Sequence, residues 1–140
     1  MSSPIPAVIA VVVHEGHTLL VRRANPPDAG LWGFPGGKIE FGETVKAAAL
    51  RELLEETGVA AEAQDVITTL DILVQDPTGA TRQHYILIAV LCRWISGDPV
   101  AADDALDARW FAIAELDPES IAMSADVDVI ARRAQALASN

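Results

Sequence analysis

The feature of the sequence that most restricts the fold is an apolar, largely β-branched run at residues 5–13. A strand of this composition has no polar face to present to water, so we expect it at the centre of a sheet, covered on both faces. The chain has 140 residues, of which 51% are hydrophobic, enough for one core but short for two domains. We therefore expect a single domain spanning residues 1–140.

The rest of the sequence predicts a mixture of strands and helices. A helix is predicted at 44–57, where alanine and leucine are frequent and Gly58 is placed to end the helix. Prolines and a glycine mark an exposed loop at 25–30. The remaining predicted elements are a turn at 14–17, strands at 18–22, 67–75, 84–94 and around 109–111, a turn at 76–79 and a closing helix at 127–137.

Charge and cysteine content limit the class of protein. Lysine plus arginine number 10 against 20 aspartate plus glutamate, giving a formal charge of -10. Such a surface repels phosphate backbones, so no nucleic acid is expected as a partner, and an anionic ligand would need local arginines or a bound cation. The single cysteine, Cys92, cannot form an intramolecular disulfide, which fits a reducing cytoplasm. Residues 5–13 are too few to cross a bilayer and follow no basic residue, so neither a membrane span nor a signal peptide is expected.

Three glutamates share one face of the predicted helix. Glu52, Glu55 and Glu56 stand at positions i, i+3 and i+4, near the negative end of the helix dipole. Each like-charge pair costs roughly a few tenths of a kcal/mol. One interpretation is a solvated acidic face. The other is a metal site, because converging hard oxygen ligands suit Mg²⁺ or Mn²⁺, and a bound cation turns the repulsion into attraction.

Glycines lie immediately before this helix. Gly36, Gly37 and Gly42 bracket a short segment that ends at Glu43. Glycine allows close backbone approach, so a carbonyl such as that of Gly37 could point at the same cation. Arg51 could hold Glu43 or a neighbouring carboxylate in place. Alone, these glycines would indicate an ordinary tight turn, but the acidic helix that follows favours the metal site.

Together these residues resemble the Nudix box. Gly37 is followed after five residues by Glu43, and then after seven residues by Arg51-Glu52-Leu53, Glu55-Glu56 and Gly58-Val59. The motif covers residues 37–59, and the order of predicted elements is similar over nearly the whole chain. The resemblance implies an α/β fold of the Nudix type, an α/β/α sandwich with a central mixed sheet. It also implies an Mg²⁺-dependent enzyme, with Mn²⁺ as an alternative, in which water attacks phosphorus in a nucleoside diphosphate derivative.

The resemblance also implies roles for the residues of the box. Glu52 and Glu56 would be the main metal ligands, Glu55 a third, and the Gly37 carbonyl would complete the shell. Arg51 would orient the carboxylates, and the candidate catalytic residues are Glu52, Arg51 and Glu43.

The general base is left open between two locations. Members of the family use either a box glutamate or an acidic residue of a distant loop, and Glu52 is our first choice. The acidic loop at 103–107 stands where many relatives carry an extra acidic ligand, and Asp104 matches that position best. The alternative interpretation is that Asp104 only keeps the loop solvated.

The segments that flank the box are Val21-Arg22-Arg23, the Asn25-Pro26-Pro27 loop, Trp32-Gly33-Phe34-Pro35-Gly36-Gly37 and His84-Tyr85. Together they are similar to the branch called ADP-ribose pyrophosphatase. This similarity implies ADP-ribose or another nucleoside diphosphate sugar as the substrate. The candidate substrate-binding residues are Arg22, Arg23, Trp32, Phe34 and Tyr85. The arginines could bind phosphates or simply lie exposed at a strand end, and the aromatic rings could stack on a base or belong to the core.

Three alternative functions remain open from the sequence. The nearest is a nucleoside triphosphate pyrophosphohydrolase that acts on oxidised or non-standard nucleotides. A non-catalytic nucleotide sensor is a second, although such proteins often lose the acids of the box, and an acidic structural protein is a third. The resemblance also allows a homodimer, since many relatives are dimers, but it identifies no interface.

Overall fold

A mixed sheet of seven strands lies between two helices in the computed structural model, which describes residues 2–139. The strands are β1 Ile5–His14, β2 His17–Arg23, β3 Trp32–Gly33, β4 Gly36–Lys38, β5 Ala60–Gln75, β6 Thr81–Ser96 and β7 Ala105–Ala112. The helices are α1 Val45–Thr57 and α2 Val127–Ala138, with a short 3-10 helix at Ile113–Glu115. Within the described residues, none of the helices has the length and apolar character needed to cross a membrane.

Strand β1 occupies the centre of the sheet, as its composition predicts. One edge pairs in parallel with β6 along residues 5–13. The other edge pairs with β4 at residues 7–9 and with β2 at residues 13–14. Strand β2 continues outward to β3 and β7, and β5 forms the edge beyond β6.

Both faces of β1 are covered, because successive side chains of a strand point to opposite sides. Val8, Ala10 and Val12 belong to one hydrophobic cluster, which includes Ala48 and Leu53 of α1. The opposite cluster includes residues of β1, the 3-10 helix and α2, namely Val11, Ile113, Ile130, Ala131 and Ala134. The predicted α/β/α sandwich with a central mixed sheet is therefore confirmed.

Helix α1 begins and ends where the sequence predicts. The hydroxyl of Thr44 accepts a hydrogen bond from the amide of Ala47 at 3.1 Å and caps the first turn. Gly58 has a φ of 74° and donates its amide to the carbonyl of Leu54 at 2.9 Å, which ends the helix. Leu53 is fully buried, whereas Leu54 is 56% exposed, so α1 has one face in the core and one in solvent.

Three strands differ in extent from the prediction. Strand β5 begins at Ala60 rather than 67, although residues 60–65 contain no β-branched residue. Pairing with apolar residues of β6, such as Cys92 and Trp94, holds this part of β5 in the sheet across several register shifts. Strand β6 is longer at both ends than 84–94, and β7 begins at Ala105 rather than near 109, within the predicted acidic loop.

The short strands β3 and β4 were not predicted. Each has too few residues for a periodic pattern, and each exists through pairing with a longer strand. Strand β4 contains Gly36 and Gly37, so the glycine segment lies against β1.

We predict that replacing Leu53 with alanine lowers the free energy of unfolding by about 2–5 kcal/mol, because the buried side chain leaves a cavity. The adjacent Leu54→Ala replacement, on the exposed face of the same helix, should cost less than about 1 kcal/mol. Urea unfolding monitored by circular dichroism measures both. Equal losses in the two variants would contradict the packing of α1.

Candidate active site

The end of α1 packs against the glycines of β4. The amide of Gly36 donates a hydrogen bond to the carboxylate Oε2 of Glu56 at 2.7 Å. A Cβ atom at position 37 would lie 2.7 Å from the carboxyl atoms of Glu52, so a larger residue would overlap with Glu52. Two of the three predicted acids are thus held directly against the backbone of β4.

Glu56 is the most unusual acid of the chain because it is only 9% exposed. Burial, with a smaller contribution from the nearby charges of Glu52 and Asp104, raises the pKa of Glu56 to about 8. The amide of Gly36 and the guanidinium of Arg23 oppose this shift. A divalent cation at this position would favour the ionised form of the carboxyl group.

Arg51 ties together the outer carboxylates. It donates to both oxygens of Glu43, at 2.6 Å from Nε and 2.9 Å from Nη2. Its Nη1 donates to Glu52 at 2.7 Å and to Glu55 at 3.3 Å, and its Nη2 donates to the carbonyl of Lys38 at 3.1 Å. The hydrogen bond from Arg51 lowers the pKa of Glu43. Arg51 therefore relieves part of the repulsion between these carboxylates. The sequence alone suggests a bound cation for that purpose.

The three helix acids point to different surroundings. Glu56 points inward to Gly36, Glu52 lies against Gly37, and the side chain of Glu55 is exposed beside Arg51. Burial raises the pKa of Glu52, and its hydrogen bond with Arg51 opposes the shift. Across residues 2–139, no three acidic, histidine or cysteine side chains form a preassembled metal site. The carboxylates of Glu52 and Glu56 are hard oxygen donors beside a glycine backbone, and this chemistry fits Mg²⁺ or Mn²⁺.

A cleft of about 70 Å³ opens beside Glu56. Its lining residues come from three separate parts of the chain, and they are Val21, Arg23, Ala24, Asn25, Glu56 and Asp104. Two predicted site residues, Arg23 and Asp104, are thus brought next to a third, Glu56. The Nε of Arg23 also donates to the carbonyl of Pro27 at 2.9 Å, which links the guanidinium to the exposed loop. Asn25 of the predicted exposed loop also lines the cleft, although it was not among the predicted site residues.

Two of the other proposed substrate residues have little access to the cleft. Phe34 is 5% exposed and belongs to the hydrophobic core on the α2 side of the sheet. Its burial fits the core alternative and corrects the expectation that its ring stacks on a base. Arg22 is exposed in β2, where it pairs with Trp32 on one edge and with Asp107 on the other. Arg23 lines the cleft and Arg22 does not, so the two neighbouring arginines are not equivalent.

Trp32 and Tyr85 are half-buried and do not line the cleft. The ring of Trp32 meets Phe111 edge to face, with centroids 4.9 Å apart, and the guanidinium of Arg109 lies 5.4 Å from the Trp32 ring. Tyr85 lies in β6 between Ile5 and Ile72. Both rings therefore have packing partners and a part left open to solvent.

Comparison with known proteins finds a family model and relatives that cover most of the chain. The family model of the NUDIX domain matches residues 3–132. A Methanocaldococcus jannaschii protein named ADP-ribose pyrophosphatase is 34% identical over 113 residues, 81% of this chain. The matched region covers 64% of that relative, so the chain spans less than two thirds of its length.

Two further relatives cover more of their own length. A Mycobacterium tuberculosis protein named "Putative 8-oxo-dGTP diphosphatase 2" is 37% identical over 114 residues, 78% of this chain and 74% of that protein. The crystal structure of a MutT NUDIX hydrolase from Burkholderia pseudomallei superimposes with a TM-score of 0.80 at 28% identity. That superposition covers 94% of this chain and 98% of the other.

The raised pKa of Glu56 predicts a pH dependence of stability in the metal-free protein. Below pH 4.5, the ordinary pKa of a glutamate, Glu56 is protonated in both the folded and the unfolded state. Between pH 4.5 and about 8, Glu56 has lost its proton in the unfolded state and keeps it in the folded state. The free energy of unfolding should therefore fall as pH rises through this window, and Glu56→Gln should make the fall shallower. Chemical unfolding in a chelator at several pH values measures the difference. If the free energy of unfolding falls equally steeply with pH in the wild type and in the variant, the raised pKa of Glu56 is contradicted.

Proposed function

Because the chain belongs to the NUDIX family of hydrolases, we propose that it is a divalent-cation-dependent pyrophosphohydrolase acting on ADP-ribose or a similar nucleoside diphosphate sugar. The observation that carries this proposal is the placement of Glu52 and Glu56 against the glycine backbone of β4, beside the cleft that contains Arg23. With ADP-ribose, water would add to one phosphorus while the bridging oxygen leaves with the other phosphate, giving AMP and ribose 5-phosphate. One domain, residues 1–140, would contain the whole site.

The cation is proposed from the family and from the donor set. When bound, Mg²⁺ or Mn²⁺ supplies charge neutralisation at the phosphate oxygens and lowers the pKa of water. Glu52 and Glu56 would be its main ligands, with Glu55, Asp104 and the Gly37 carbonyl as further candidates. The exposure of Glu55 makes it the peripheral member of this set.

Two residues are candidates for the general base, and the contacts favour Glu52. Arg51 holds one oxygen of Glu52 in a fixed orientation, while burial raises the Glu52 pKa and so makes the carboxylate a stronger base. Arg51 and Glu43 would act as a positioning pair, since their two hydrogen bonds fix the guanidinium. Asp104, from the distant loop, is the alternative base.

The size of the cleft limits which part of the substrate can enter it. A volume of about 70 Å³ suits a phosphate group but is far below the roughly 300 Å³ of an ordinary small-molecule pocket. We infer that Arg23 binds a phosphate inside the cleft and that the nucleoside lies on the adjoining surface. Three of the substrate-binding residues suggested by the sequence have exposed surface for contact with the nucleoside, and they are Arg22, Trp32 and Tyr85.

A triphosphate substrate is the second candidate, and it is supported by the M. tuberculosis relative named for 8-oxo-dGTP. The purified protein should be incubated with Mg²⁺ and a panel containing ADP-ribose, other nucleoside diphosphate sugars and ordinary and oxidised nucleoside triphosphates. Release of AMP and ribose 5-phosphate supports the first candidate, and release of pyrophosphate and a nucleoside monophosphate supports the second. Tight ADP-ribose binding in calorimetry without turnover of any compound would instead support a nucleotide sensor.

We predict that Glu56→Gln lowers kcat by about 100-fold or more and weakens Mn²⁺ binding, because an amide is a poor substitute for a charged oxygen ligand. Glu62→Gln is the matched control, since Glu62 is exposed in β5 and pairs with Arg93. Steady-state kinetics and Mn²⁺ titration by electron paramagnetic resonance measure both effects. Full activity of the Glu56 variant would contradict the proposed site.

We also predict that Arg23→Gln raises KM by about 10-fold or more, the loss expected when a charged hydrogen bond to a phosphate is removed. Arg82→Gln, which removes a guanidinium paired with Asp76 at the far end of β6, serves as the control. Measuring KM for Arg22→Gln as well separates the contributions of the two neighbouring arginines to substrate binding. An unchanged KM in the Arg23 variant would exclude Arg23 from phosphate binding.

A further inference from the structure

The segment between β6 and β7 is bound to the last turn of α1. The amide of Val100 donates to the carbonyl of Thr57, and the amide of Ala102 donates to the carbonyl of Glu56, both at 2.9 Å. These carbonyls belong to the end of a helix, where no further helical amide is available to them. The backbone of residue 56, which carries the buried acid, therefore also fixes the path of residues 97–104.

This segment ends at the cleft. Asp104 lines the cleft together with Arg23 and Glu56. Its carbonyl accepts a hydrogen bond from the amide of Ala24 at 3.0 Å, so its backbone is also fixed from the side of β2. The position of Asp104 in the same cleft as Glu56 thus depends on main-chain contacts at both sides.

The segment begins at Gly97, which is closely packed against the end of α1. Gly97 has a φ of 100°, in the region that favours glycine. A Cβ atom here would lie 2.9 Å from the carbonyl oxygen of Gly58 and 3.3 Å from the Cα of Val59. The indole Nε1 of Trp94 donates to the carbonyl of Gly97 at 2.9 Å, and the Trp94 ring packs on His14 with centroids 4.4 Å apart.

From these contacts we propose that Gly97 and Trp94 are positioning residues for the reaction. They fix the start of the segment 97–104 against the end of α1, and the segment in turn holds Asp104 beside Glu56. Neither residue lines the cleft, so both act through Asp104. The inference rests on the proposed function, in which Asp104 is one of the candidate ligands of the cation.

The test uses Gly97→Ala and Trp94→Phe in the full chain. Alanine at 97 would displace the segment from the helix end, and phenylalanine at 94 keeps a ring beside His14 but lacks the indole N–H. We expect each variant to weaken Mn²⁺ binding, measured by electron paramagnetic resonance, by about 10-fold, the size typical for residues that orient metal ligands. We expect kcat to fall with little change in KM.

Gly79→Ala is the matched control. Gly79 also has a positive φ, 86°, but a Cβ atom there would meet no atom within 4 Å. It lies in the turn between β5 and β6, so its replacement reproduces the backbone strain without displacing residues 97–104. Both glycine variants should lower the melting temperature, whereas only Gly97→Ala should weaken Mn²⁺ binding.

A double-mutant cycle with Asp104→Asn decides whether the effect passes through Asp104. Asp104→Asn alone should weaken Mn²⁺ binding, and adding Gly97→Ala or Trp94→Phe should then cause little further loss. Equal losses in the wild-type and Asp104→Asn backgrounds would overturn the inference. If Gly97→Ala does not fold, the Trp94→Phe cycle gives the same decision.

The outcomes separate this inference from the proposed function. If Asp104→Asn leaves Mn²⁺ binding unchanged while Glu56→Gln abolishes it, the positioning role fails and the pyrophosphohydrolase proposal stands. If the wild-type protein hydrolyses no nucleotide in the panel, the proposed function fails whatever the result of the cycle.

Discussion

The two-sided burial of β1 is the constraint on which the rest of the structure depends. Because neither face of β1 can remain in water, a helix is needed on each side of the sheet. Its edges pair with β6 and β4, and the pairing with β4 carries Gly36 and Gly37 beneath the end of α1. The geometry around Glu52 and Glu56 is therefore set largely by main-chain pairing in the centre of the sheet.

The acids at the end of α1 are accommodated in two different ways. The outer carboxylates share the guanidinium of Arg51, which keeps Glu43 charged and well oriented. Among residues 2–139, no guanidinium is hydrogen-bonded to Glu56 and one backbone amide donates to its carboxylate, so burial keeps the pKa of Glu56 high. This arrangement is unfavourable for folding alone, and such local conflicts are common where a protein binds a ligand.

The sequence predicts the local features of the fold and site well, and the long-range ones poorly. The start and end of α1 follow from Thr44 and Gly58, and the acids on its face follow from helical spacing. The early start of β5 could not be predicted, because residues 60–65 have little strand preference and are held by their partner strand. The neighbouring sequence does not indicate that Arg23 lines the cleft while Arg22 does not. Nor does it indicate that the ring of Phe34 is buried in the core. In both cases the surroundings come from residues distant in the chain.

The register shifts in β5 also bear on association between copies of the chain. Strand β5 is an edge strand, and its unpaired backbone groups could template another strand. The shifts between residues 60 and 68 break the regular spacing of these groups, and the acidic Glu62 stands exposed among them. Residues 68–74 keep a regular register with β6. An identical neighbour paired antiparallel about Asp71 would bring two exposed carboxylates together, which disfavours such pairing.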